Sequence, residues 1–163
     1  MLIEKLKGIL FIQLKLMEEL CSLLERETLE LLSVNIDAIV EINALKESAT
    51  DRINEHTDPL RQTISEIAAS SELPSNATLV EVVTRLGKQG YKEIPAIYQD
   101  LNTQAKQVRH MAALNHDIAE QSAAMVKNAL RILTQLLEQA ITYCASGNYE
   151  HWQDEGIIID NDV

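Results

Sequence analysis

Two long stretches of the chain, residues 2–53 and 95–145, repeat apolar residues at alternating steps of three and four positions. In the second stretch the alternation runs from Ile97 to Tyr143 without a break. This spacing is typical of a helix that packs along another helix in coiled-coil style. The first stretch contains no proline and one glycine, Gly8, and the whole chain of 163 residues has only five glycines and three prolines. Since turns depend on these residues, the sequence predicts an all-α protein and excludes a many-stranded β fold.

The segment between the two long stretches predicts shorter elements. Thr57-Asp58-Pro59 is typical of a helix that kinks or restarts, because proline is favoured at the first helical position. A loop follows at residues 70–76, and residues 78–86 predict a short helix that ends at the glycines of residues 87–90. We therefore predict an elongated antiparallel helical bundle, or coiled coil, of two long helices plus a short connecting helix.

The end of the chain differs from the rest in composition. Residues 148–163 contain five acidic residues and no lysine or arginine, which is typical of a solvated tail. The same segment contains three consecutive isoleucines, Ile157 to Ile159. A segment that docks locally or folds back over the bundle is therefore the alternative. We expect residues 1–147 to form a single helical domain and residues 148–163 to form an acidic C-terminal tail.

The charge and the apolar runs exclude several classes of partner. The chain has 14 basic and 25 acidic side chains and a formal net charge of −11, which argues against a nucleic-acid partner because phosphate backbones demand a basic surface. No apolar run approaches the roughly 20 residues that span a bilayer, so we expect no membrane insertion. The two cysteines, Cys21 and Cys144, lie among aliphatic residues, which indicates buried, reduced thiols and a cytoplasmic protein.

The sequence contains none of the spacings that mark a catalytic or metal site. Glu-x-x-His pairs, Cys-x-x-Cys and Gly-x-Ser-x-Gly do not occur, and the four histidines are scattered. The glycines of residues 87–90 lack the preceding strand that a phosphate-binding loop requires. We therefore expect no enzyme, no metal and no cofactor.

Both ends of the predicted hairpin carry more apolar residues than a two-helix contact can bury. Leu14 and Leu20 belong to this surplus region in the first helix, and Leu130, Leu133 and Leu137 belong to it in the second. In an antiparallel hairpin these ends lie side by side and form an apolar groove that accepts an amphipathic helix. The alternative is self-association through the same surfaces, as a homodimer or a structural coiled coil with no client.

A polar residue within the second apolar repeat, Asn115, is expected mainly to fix the helix register, because polar residues at such positions specify alignment at a cost in stability. It also belongs to a set of short patterns whose order and spacing resemble a known family. The residues that carry the resemblance are Leu20, Leu23, Leu24, Glu25-Arg26-Glu27, Asn35, Asp37-Ala38-Ile39, Lys46, Arg61, Leu114-Asn115-His116-Asp117-Ile118, Ala129-Leu130, Leu133, Tyr143 and Gly147.

Over about residues 5–147 the chain resembles the FlgN-like flagellar chaperones, bacterial proteins that guard hook–filament junction subunits before export. One departure is that Met111-Ala112-x-x-Asn115 keeps only the second asparagine of the family's Leu-Asn-x-x-Asn motif. The resemblance implies a cytoplasmic, non-enzymatic chaperone of flagellar type III export. Its clients would be the junction proteins, bound through their C-terminal amphipathic helices.

The resemblance also implies a role for Tyr143, which falls at the family's Tyr-x-x-x-Gly position and is associated with contact to the export machinery. The alternative for Tyr143 is a seam aromatic that ends the helix. Together with the groove, these arguments predict one set of partner-binding residues. They are Leu14, Leu20, Asn115, Ile118, Leu130, Leu133, Leu137 and Tyr143.

Overall fold

The computed structural model describes residues 1–74 and 76–144, and the side chains up to residue 138. The predicted tail at residues 148–163, with its isoleucine run, lies outside the described residues. All regular structure in the described residues is helical, so the all-α prediction is confirmed. The helices are α1 (Leu2–Ser33), α2 (Ile36–Glu55), α3 (Thr57–Ser70), α4 (Leu79–Lys88) and α5 (Glu93–Cys144).

The first long stretch is two helices and not one, because the chain turns at Val34 and Asn35. Val34 has a left-handed backbone with φ 55° and ψ 38°, and the N–H of Asn35 donates to the carbonyl of Glu30 at 3.0 Å. This is a Schellman ending, in which glycine is the usual left-handed residue. The Asn35 side chain then caps α2 by accepting from the N–H of Ala38 at 3.4 Å.

The turn folds α2 back along α1, so these two helices are antiparallel. Arg52 Nη1 lies 3.0 Å from Glu19 Oε1, and Lys46 Nζ lies 2.5 Å from Glu27 Oε1. Residues later in α2 therefore pair with residues earlier in α1, as expected for antiparallel helices. The prediction of a restart at Thr57 is confirmed, because α3 begins there directly after α2.

The chain divides into two compact units, Met1–Ser122 and Ala123–Val163. Within the first unit, α5 runs parallel to α1. Lys7 forms an ion pair with Glu93, and Cys21 Sγ lies 3.7 Å from Met111 Sδ. The sequence separation is 86 residues at one contact and 90 at the other.

The predicted antiparallel pairing of the two long helical stretches is therefore wrong for α1 and α5. The physical reason is the turn at Val34. Since α2 and α3 already return the chain to the beginning of α1, α5 starts at that end and runs in the same direction as α1. The antiparallel partner of α1 is α2.

Apolar side chains of four helices meet at the N-terminal end of α1. Thr78 caps α4 in a capping box with Glu81, and Gly90 takes φ 103° in the following turn, so the short helix and its glycine ending are confirmed. Ile67 of α3 and Leu86 of α4 both pack into this cluster. Its buried members are Leu6, Leu10, Ile67, Ala68, Val82, Val83, Leu86 and Ile94.

Candidate partner-binding surface

A buried group of polar side chains joins α1, α2 and α5 in the first unit. Asn115 of α5 is 3% exposed, and its Nδ2 donates to the Leu24 carbonyl and to Glu27 Oε2, both at 2.9 Å. Thr28 Oγ1 lies 2.6 Å from Asn115 Oδ1. The other oxygen of Glu27 accepts from Lys46 of α2 at 2.5 Å. We call Glu27, Thr28, Lys46 and Asn115 the polar cluster.

The polar cluster ties the register of three helices to one set of hydrogen bonds. A shift of α5 by one turn would separate Asn115 from Glu27 and leave a buried carboxylate without its amide donor, which is costly. Glu27, Lys46 and Asn115 come from three separate fragments of the resemblance described above, and they meet in the polar cluster.

A wide apolar face lies on the part of α5 that belongs to the second unit. Every described side chain from Ala123 to Glu138 is exposed. At 100° per residue, the large apolar side chains cover about 160° of the helix circumference, and lysine, arginine and amide side chains occupy the other side. We call this surface the 125–137 face. Its members are Met125, Val126, Leu130, Ile132, Leu133, Leu136 and Leu137, which are 51% to 70% exposed.

The structure places the eight predicted partner-binding residues in three kinds of environment. Leu14 and Asn115 are buried, Leu20 and Ile118 are half-buried, and Leu20 packs against the core of Leu23, Ile42 and Ala49. Leu130, Leu133 and Leu137 are exposed on the 125–137 face. Tyr143 lies in α5, and its side chain is outside the described ones.

The prediction of a groove between the two ends depended on the antiparallel pairing of α1 and α5, which the structure does not show. Leu14 and Leu20 were placed beside Leu130 and Leu133 only because α1 and α5 were expected to run in opposite directions. In the first unit, α2 covers Leu20, and the N-terminal end of α1 packs on α3, α4 and the start of α5. Near the N-terminus, Leu10 and Leu14 are buried, whereas Phe11 and Ile12 stay 50% and 42% exposed.

The sequence reasoning missed two groups of exposed apolar residues. Met125, Val126, Ile132 and Leu136 belong to the 125–137 face, whereas the apolar repeat from Ile97 to Tyr143 predicts that this part of the helix packs along another helix. The second group surrounds the α1–α2 turn, which a continuous helix did not predict. It consists of Leu29, Leu32, Val34, Ile36 and Val40, which are 57% to 67% exposed.

The described residues give no indication of a metal site, a membrane-spanning helix or a reactive thiol. Among those described, no three His, Cys, Asp or Glu side chains lie close enough together to hold a metal ion. The described helices also include none with the length and apolar character needed to cross a membrane. Burial and the neighbouring Glu25 raise the pKa of the Cys21 thiol, which disfavours a reactive thiolate.

A family model described as FlgN protein matches residues 1–151. The chain matches no curated protein and no solved structure. The matched range includes the polar cluster and the 125–137 face.

Proposed function

The chain belongs to the FlgN family of flagellar export chaperones, and from this membership we propose that its clients are the hook–filament junction proteins. We propose that it binds their C-terminal amphipathic helices and so prevents premature assembly. In this proposal the protein acts in the cytoplasm, without enzymatic activity, cofactor or metal. Tyr143 remains the residue proposed to contact the export machinery.

The 125–137 face is the observation that carries the proposal. Three of its members, Leu130, Leu133 and Leu137, stand at steps of three and four on one side of the helix, and each is more than half exposed. Such a stripe accepts the apolar side of another helix by interlocking side chains. Burial is favourable by about 25 cal/mol per Å² of apolar surface, so a client helix can be held without nucleotide hydrolysis.

The size of the face suits a short amphipathic helix. From Met125 to Leu137 the helix rises about 18 Å, or a little over three turns. A client segment of similar length would bury the whole stripe, while the polar side of α5 keeps its contact with water. Because this binding is non-covalent and reversible, a competitor for the same surface can release the client without hydrolysis.

A calorimetric titration with the C-terminal helical segment of each junction protein tests the proposal. We expect roughly one-to-one binding with a negative heat-capacity change, the signature of apolar burial. Leu133→Glu should weaken binding at least about tenfold, since it places a charge in the centre of the buried stripe. Gln135→Glu adds the same charge on the polar side of the same helix and should leave the affinity within about twofold.

The two variants also separate a binding defect from a folding defect. Because Leu133 is 56% exposed, the helicity of Leu133→Glu by circular dichroism should equal that of the unmodified protein. A loss of helicity would show that Leu133 is core, and the proposal would fail. If no segment binds, and sedimentation shows a dimer that Leu133→Glu dissociates, the self-associating alternative replaces the chaperone proposal for this face.

A further inference from the structure

The 125–137 face and the C-terminal tail belong to the same unit of the chain, Ala123–Val163. The described side chains of that unit are all exposed up to Glu138. A contiguous apolar surface of this kind usually has a partner, because leaving it in water is unfavourable. The nearest candidate in sequence is the segment that follows α5.

That segment contains one apolar run, Ile157-Ile158-Ile159. Gly156 and Glu155 precede it and Asp160 follows it. The tail also contains two isolated aromatic residues, Tyr149 and Trp152, but the isoleucines are its only consecutive large apolar residues, and they contribute nothing to solubility. They do provide what the 125–137 face lacks, which is apolar surface of another segment.

The length of the chain allows the contact within one molecule. Leu133 lies 11 residues before Cys144, the last residue of α5, so the distance along the helix is about 16 Å. The 13 residues after Cys144, which end at Ile157, can span up to about 43 Å, which exceeds this distance. The isoleucine run can therefore reach the face within one molecule, and the covalent connection raises its effective concentration there.

The charges of the two segments are complementary. The last part of α5, residues 123–144, contains Lys127 and Arg131 against a single acidic residue, Glu138. The tail contains five acidic residues and no lysine or arginine. The whole chain has a net charge of −11, but residues 123–144 have a small positive excess and the tail that follows them is negative. These opposite charges favour association of the tail with the last part of α5 at moderate ionic strength.

We propose that the isoleucine run, residues 157–159, binds the 125–137 face when no client is present. The tail is then an internal competitor that shields the apolar stripe and is displaced by the client helix. The shielding depends only on this chain's own residues, whereas its effect on client affinity rests on the function proposed above. The tail segment, and not a second copy or a lipid surface, is the occupant.

Dye binding tests the contact without any client. In the full chain, the triple substitution Ile157→Ser, Ile158→Ser and Ile159→Ser should raise the fluorescence of the dye ANS, which binds exposed apolar surface. The rise should be independent of protein concentration. It should vanish when Leu133→Glu is combined with the triple substitution. As a matched control, Asn148→Ser, His151→Ser and Gln153→Ser change three tail residues outside the isoleucine run and should leave the fluorescence unchanged.

Client titration supplies the second measurement. If the tail occupies the face for 70% to 90% of the time, its removal from competition tightens client binding by about threefold to tenfold. An increase in ANS fluorescence without binding of any client segment would support the tail contact and refute the proposed function. Client binding with unchanged or lower ANS fluorescence in the triple variant would refute the tail contact and leave the proposed function intact.

Discussion

Removal of the Asn115 side chain tests whether the polar cluster holds the first unit together. Asn115 is 3% exposed and makes three short polar contacts, two through Nδ2 and one through Oδ1. In Asn115→Ala, Glu27 loses a donor while its carboxylate stays buried, at 7% exposure. The substitution therefore removes hydrogen-bond partners from Glu27 and the Leu24 carbonyl, whose residues are buried, and from Thr28, which is half-buried.

The expected loss of stability can be worked from these contacts. The hydrogen bond to the Glu27 carboxylate is worth about 2 kcal/mol, and each of the two neutral bonds about 1 kcal/mol. One neutral bond is partly recovered, because the Thr28 hydroxyl also lies 2.9 Å from the Leu24 carbonyl and can donate there instead. We expect Asn115→Ala to lower the free energy of unfolding by about 3 kcal/mol.

Urea unfolding followed by circular dichroism measures this loss, provided that the denaturant slope stays the same. Asn102→Ala is the matched control, because Asn102 is exposed on the same helix, and its effect should be within about 0.5 kcal/mol. A loss below about 1 kcal/mol for Asn115→Ala would refute the reasoning, since the cluster would then contribute no more than an ordinary surface contact.

Two further predictions concern the ends of helices, the C-terminal end of α1 and the N-terminal end of α4. Val34→Gly should raise the free energy of unfolding by about 1 kcal/mol, because glycine adopts the left-handed conformation without the steric cost that valine has there. The melting temperature should rise, and a fall would show that the 57% exposed Val34 side chain makes contacts that matter. In the capping box, hydrogen bonds from the Thr78 backbone N–H and hydroxyl lower the pKa of Glu81 below 4.5. This contribution is present above the unfolded pKa and is lost as the pH falls through the folded pKa. Glu81→Gln should therefore lose less stability than the unmodified protein between about pH 5 and pH 3 in urea titrations, and equal losses would contradict the assignment.

The apolar repeat predicts the helices well because it depends only on sequence distance. The second long helix was predicted from about residue 95 to residue 145, and α5 spans Glu93–Cys144. The break at Val34 was not predicted, since a β-branched residue is a poor choice for a left-handed turn. Asn35 and Asp37 are typical of a helix start, but within an unbroken apolar repeat they also fit a continuous helix.

The repeat also contains no information about direction or about which neighbours are present. Leu10 and Leu133 occupy equivalent positions in their patterns, yet Leu10 is fully buried and Leu133 is 56% exposed. The difference lies in what surrounds them, since α3, α4 and the start of α5 cover Leu10. The same repeat is therefore core in one place and candidate binding surface in another, and only the arrangement of the helices distinguishes the two.

The polar cluster connects this arrangement to the proposed function. It aligns Asn115 with Glu27 and Thr28, so that α5 residues pair with α1 residues 86 to 90 positions earlier. α1 ends at Ser33. At this separation, Ser33 pairs with about residue 120 of α5, so the pairing of the two helices ends there. A slip by one turn would move the residue of α5 at which its pairing with α1 ends, and it would leave a buried carboxylate without its donor. The buried polar cluster thus determines where the pairing of α5 with α1 stops, and the 125–137 face, which the proposed function assigns to a client, follows that point in the sequence.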